Sequence, residues 1–142
     1  MAANTSPISP IAPATSWSAA IVLTGNAATT GLGTDGTDIN LFFTAGANGA
    51  RIGRVRVMHR GTNIATVIRL FINNGSANST ATNNILMSEI TMAANTISQV
   101  AASVFQDVYL NVVLKPGYKL MATNGTTVAS GFAYSAVDAG DY

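Results

Sequence analysis

Val108-Tyr-Leu-Asn-Val-Val-Leu-Lys-Pro-Gly-Tyr118 is the stretch that decides the fold. Val108, Leu110, Val112 and Leu114 alternate with Tyr109, Asn111, Val113 and Lys115, the two-residue period of a strand that turns one face toward a core. The run stops at Pro116-Gly117. Proline at the second and glycine at the third position of a four-residue turn meet the demands of a type II turn, φ near about −60° and then positive. The spacing predicts that residues 118–122 pair back on this strand as a hairpin.

The same period recurs on both sides. Upstream, Val55, Val57 and His59 share one parity over residues 51–60 while Arg54, Arg56, Met58 and Arg60 share the other. Gly61, Thr62 and Asn63 predict a tight connection to a strand over residues 64–73, with Ile64, Ile68, Leu70 and Ile72 on one face and Arg69 opposite, so the two runs read as a hairpin. Residues 19–23, 39–44 and 85–92 read as further strands, and residues 24–37 and 73–84 as loops rich in Gly, Asn, Ser and Thr. Downstream, residues 126–137 alternate again, with Val128, Phe132 and Tyr134 on one face, and residues 138–142 read as a tail. Residues 93–106 form a polar connection whose alanines allow one helical turn.

About eight short strands without a 3.6-residue period predict an all-β chain. The expected architecture is an antiparallel β-sandwich, jelly-roll-like, formed by residues 17–142 as a single domain. Residues 1–16, which hold Pro7, Pro10 and Pro13 among Ala, Ser and Thr, resist helix and offer no core face. They read as an extended N-terminal arm.

Composition narrows function by exclusion. Seven basic and six acidic residues in 142, no cysteine and one histidine leave little for acid–base chemistry, a thiolate metal site or a disulfide framework. The expectation is a non-enzymatic protein without cofactor or metal. A net charge of +1 advertises no polyanion, so no nucleic acid is expected as partner. No apolar run approaches the ~20 residues of a membrane span, and the start has no signal-peptide pattern, so neither membrane nor export is expected. Charged residues make up only 9% of the chain, which suggests that partners cover much of its surface.

Arg54, Arg56 and Arg60 are the sharpest candidate set, able to hold a carboxylate or phosphate bidentately. Pairing across the sheet with acids such as Glu89, or contact with a protein neighbour, is the stronger reading. His59 has no second histidine to complete a dyad and is expected to be a packed, hydrogen-bonded side chain. Asp35 and Asp38 faintly suggest a Ca²⁺ loop, but two carboxylates without a bidentate Glu nearby are too few, and the turn habit of Asp-Gly explains the same residues. Asn4, Asn74, Asn78 and Asn124 each open an Asn-x-Ser/Thr triplet, expected by chance in so Asn-, Ser- and Thr-rich a chain.

Several segments carry a likeness to known proteins: the opening Met1-Ala-Ala-Asn-Thr-Ser-Pro-Ile8, residues 43–51, residues 61–69, Phe71-Ile-Asn-Asn-Gly-Ser76, the Pro116-Gly117-Tyr118 turn and the closing Gly140-Asp-Tyr142. Together they resemble the small virion proteins of tailed bacteriophages and prophages that decorate or cement capsids. The resemblance covers most of the chain and includes no catalytic motif. It implies a β-sandwich seated on the major capsid protein lattice at the virion surface, made in the host bacterial cytoplasm and assembled as a homo-oligomer, a trimer by preference. It also implies an N-terminal arm laid over neighbouring subunits, so that Asn4, Pro7, Ile8 and Pro10 join Arg54, Arg56 and Arg60 as expected protein-interface residues. The arm's stiffness limits the entropy lost on docking. The competing class is a tail- or head-fibre jelly-roll module that binds host glycans through exposed aromatics.

Overall fold

The structure, a computed structural model, describes residues 12–18 and 20–142. Eight strands follow one another: β1 (Ala12–Trp17), β2 (Asn40–Thr44), β3 (Ala50–His59), β4 (Thr66–Asn73), β5 (Asn84–Met92), β6 (Phe105–Leu114), β7 (Lys119–Asn124) and β8 (Phe132–Asp141). A single 3₁₀ turn, Ala81–Asn83, interrupts the loop before β5. The strands form two antiparallel four-stranded sheets with the orders β1-β8-β3-β6 and β2-β7-β4-β5. This is a jelly roll: strands adjacent in sequence change sheet at every connection except β4 to β5.

That topology corrects both predicted hairpins. The Lys115–Tyr118 turn forms, with the Tyr118 amide donating to the Lys115 carbonyl at 3.1 Å and Gly117 at φ 75°. It carries the chain around a corner, however: β6 pairs with β3, and β7 with β2 and β4. The turn from β3 likewise leads to the other sheet, and β4 pairs with β5 and β7. A turn signal and two alternating runs fit a hairpin and a sheet-to-sheet corner equally, because only the distant partner strands distinguish them.

Strand ends differ from the sequence reading in several places, and residues 126–131, read as the start of the last strand, lie in the loop before β8. Of the stretch 19–23 read as a strand, the described residues 20–23 lie outside any strand; the first among the described residues is Ala12–Trp17, taking in the last residues of the stretch read as arm and pairing with β8. Ile64 lies in the loop before β4 and is exposed. The closing tail belongs to β8, whose alternation shifts at Asp138, where φ is 54°. The alternation fails there because a left-handed residue turns the strand's faces by one position, something a two-residue period does not announce.

Between the sheets lies the main core, in which Ile52, Val55 and Val57 of β3 face Ile68 and Leu70 of β4, with Phe132 and Tyr134 from β8. Burying each such side chain contributes about 1.5–3 kcal/mol relative to leaving it in water. The Phe42 and Tyr134 rings stack across the layers, centroids 5.8 Å apart. A smaller apolar cluster of Ile39, Phe71 and Met121 sits on the outer side of the second sheet. The β1–β2 connection covers it, Gly31 lying so close to Phe71 that an added Cβ would fall 2.9 Å from the ring. One sheet therefore has its outer face roofed by a loop.

Candidate interaction surface

The first sheet keeps its outer face open. In β6 the predicted alternation holds: Val108, Leu110 and Val112 pack against the core while Tyr109 and Val113 are 69% and 67% exposed. Register then assembles the face in rows. Trp17, Ser135, Arg56 and Asp107 lie in one row across β1, β8, β3 and β6. Met58 pairs with Ala133 and Phe105 in the next row. Arg54 pairs with Val137 and Tyr109 in a third. Trp17 is 66% exposed, and Phe105 and Met58 are also open to solvent.

At the centre of this face the charges close on themselves. Arg56 grips Asp107 with two hydrogen bonds, Nε to Oδ1 and Nη2 to Oδ2, both 2.8 Å, and Arg54 Nη1 donates to Oδ2 at 2.9 Å. Asp138 Oδ2 lies 3.4 Å from Arg54 Nε. The Arg56 hydrogen bond holds the Asp107 carboxyl below its usual range, against a smaller opposing effect of burial, and raises Arg56 in turn. The Arg56 guanidinium also sits 4.4 Å over the Phe105 ring. The result is a broad sheet face with large apolar side chains around a neutralised ion-pair cluster.

Of the candidate arginines, Arg54 and Arg56 come together and Arg60 stands apart. Arg60 donates to the backbone carbonyls of Phe132 at 3.3 Å and Ser18 at 3.2 Å. The acid that the arginines meet is Asp107; Glu89 pairs with Arg69 at 2.7 Å on the other sheet. Nothing local in the sequence marks Asp107, because its place opposite Arg56 depends on the β3–β6 register. Tyr109 and Val113 were legible as a second strand face, but that this face is open was not. Asn4, Pro7, Ile8 and Pro10 lie outside the described residues.

His59 faces inward, 4% exposed and tilted against Phe132, with Asn63 Nδ2 3.3 Å from its Nδ1. Asn63 Nδ2 can only donate, so Nδ1 accepts this bond and the ring proton sits on Nε2. Burial pushes the imidazole below its ordinary range, with the Ala93 backbone in weak opposition. Asp35 and Asp38 are engaged in the loop itself: the Leu41 amide donates to Asp35 Oδ1 at 2.8 Å and the Thr34 amide to Asp38 Oδ1 at 2.7 Å. Asn124 is fully buried and hydrogen-bonded through both side-chain ends, which no glycan acceptor can be. A shallow cleft of about 120 Å³ beside Asp35, Asn73, Asn78 and Lys119 lies on the second sheet, away from the exposed aromatics. No known family model, curated protein or solved structure matches the chain.

Proposed function

We propose that the chain is a non-enzymatic virion structural protein that binds the outer surface of a phage capsid and stabilises the shell, as a decoration or cement protein. The observation that carries this reading is the outer face of the β1-β8-β3-β6 sheet, where Trp17, Met58, Phe105, Tyr109 and Val113 surround a cluster of charges already paired with one another within the chain. Such a face suits docking on a protein lattice: apolar anchors supply affinity, and the charges at its centre are paired with one another before water is stripped from them. The sequence likeness to capsid-decorating proteins points the same way, and with it come the lattice of the major capsid protein as partner and a homo-oligomer, a trimer by preference.

Glycan binding is the alternative. Trp17 and Tyr109 are the exposed aromatics it would use, but they stand on opposite edge strands, about 14 Å apart across three strand spacings. They do not form one stacking platform for a sugar.

Adding the full chain to purified shells that lack it tests the proposal. The expected result is cosedimentation, regular external density in cryo-electron microscopy and greater resistance of the shell to heat. A chain that stays in the supernatant, or that gives several clear hits on a glycan array instead, overturns it.

A further inference from the structure

Much of the large apolar surface that the described residues leave in water is gathered at one end of the sandwich. The β3–β4, β5–β6 and β7–β8 connections and the start of the β1–β2 connection meet there, residues 60–65, 93–104, 125–131 and 20–25. They present Ile21, Leu23, Ile64, Ile97, Val100 and Val104, Val100 being 96% exposed. The opposite end, residues 45–49, 74–83 and 115–118, presents no such side chain.

Hydrogen bonds hold these loops in one arrangement. Asn63 is the hub: it exchanges two backbone bonds with Asn95, both 2.9 Å, accepts the Ser130 amide on Oδ1 at 2.7 Å and donates to the Gly131 carbonyl at 2.8 Å. Thr62 Oγ1 accepts the Ile97 amide at 3.1 Å, and the Leu23 carbonyl accepts the Val128 amide at 2.9 Å. A patch fixed in advance loses little conformational entropy when it is covered.

We infer that this loop end is a self-association surface, covered in solution by a second copy of the chain. Its size fits: six Ile, Leu and Val side chains that are 39–96% exposed, with the alanines between them, offer on the order of the ~800 Å² that each partner gives to a standard interface. Its charge fits better still. The four segments contain one charged residue, Arg60, whose guanidinium is turned onto two backbone carbonyls. Wherever two copies bring this same end together, any excess of one sign would meet its like, and this patch has next to none. A bilayer would be engaged by basic or aromatic residues, and these segments contain no Lys, Trp, Tyr or Phe.

The test uses the purified full chain in analytical ultracentrifugation over a wide concentration range, beside Val100→Asp and Ile97→Asp variants checked for folding by circular dichroism. Both positions are exposed, so the variants fold. The wild type is expected to form a discrete oligomer that dissociates on dilution, with dissociation shifted about a hundredfold or more toward monomer in each variant. A wild type that is monomeric throughout, variants that associate as the wild type does, or a wild-type monomer that floats with phosphatidylcholine vesicles would overturn the inference. Shell cosedimentation is read separately: a monomer that decorates shells sinks this inference and the homo-oligomer but leaves capsid binding standing, and an oligomer that ignores shells sinks only the capsid reading.

Discussion

Tyr134 Oη donates a hydrogen bond of 2.6 Å to Asn124 Oδ1, joining β8 of one sheet to β7 of the other through the middle of the sandwich. Both residues are fully buried, and Asn124 Nδ2 passes the connection on to the Val22 carbonyl at 2.9 Å. Burial pushes the phenol above its ordinary range, which keeps its proton available for this bond at neutral pH.

Tyr134→Phe keeps the ring and its stacking on Phe42 but leaves the Asn124 carbonyl oxygen buried without a donor. The expected cost is about 1–3 kcal/mol, seen as a lower urea midpoint at unchanged denaturant slope. An unchanged midpoint would show that the bond contributes nothing net.

Acid should loosen the loop end through His59. Its folded-state pKa is depressed, so the unfolded chain binds the proton more readily, and stability falls as pH drops below the unfolded value of about 6.5, levelling off once the folded imidazole is also protonated. Asp107, likewise depressed, contributes stability that is present above about pH 4 and lost below it. Melting temperatures followed by circular dichroism between neutral and mildly acid pH should decline for the wild type and stay flat for His59→Gln. Parallel declines in the two proteins would remove His59 from the account.

On the open sheet face, Trp17→Ala and Tyr109→Ala should each weaken shell binding about tenfold or more, as loss of an aromatic anchor does. Melting should barely move, because both side chains are largely exposed. Quantitative cosedimentation measures the first effect and circular dichroism the second; affinities equal to wild type would place the docking face elsewhere.

Gly117 sits at φ 75° with nothing within 4 Å of where a Cβ would be, so its substitution tests backbone strain free of any clash. Gly117→Ala should cost about 1 kcal/mol, and Gly117→Asn less, since asparagine tolerates the left-handed region better. Urea unfolding of the two variants checks the order, and equal stability of all three proteins would contradict it.

The sequence by itself determined which residues face the core, because a two-residue period is a local property of the pleat: Val55 and Val57, Ile68 and Leu70, and Val108 through Leu114 all fall on the sides their alternation assigns. It also determined the Pro116-Gly117 turn, whose backbone geometry those two residues impose. Only the tertiary structure decided that this turn rounds a corner between sheets, that Asp107 is the acid between Arg54 and Arg56, and that Asn63 ties the loops of one end together. Each of these depends on pairing between strands or loops far apart in the chain. Local alternation fixes a strand's faces but is indifferent to which neighbour it meets, and the register of that meeting is what brings the side chains together.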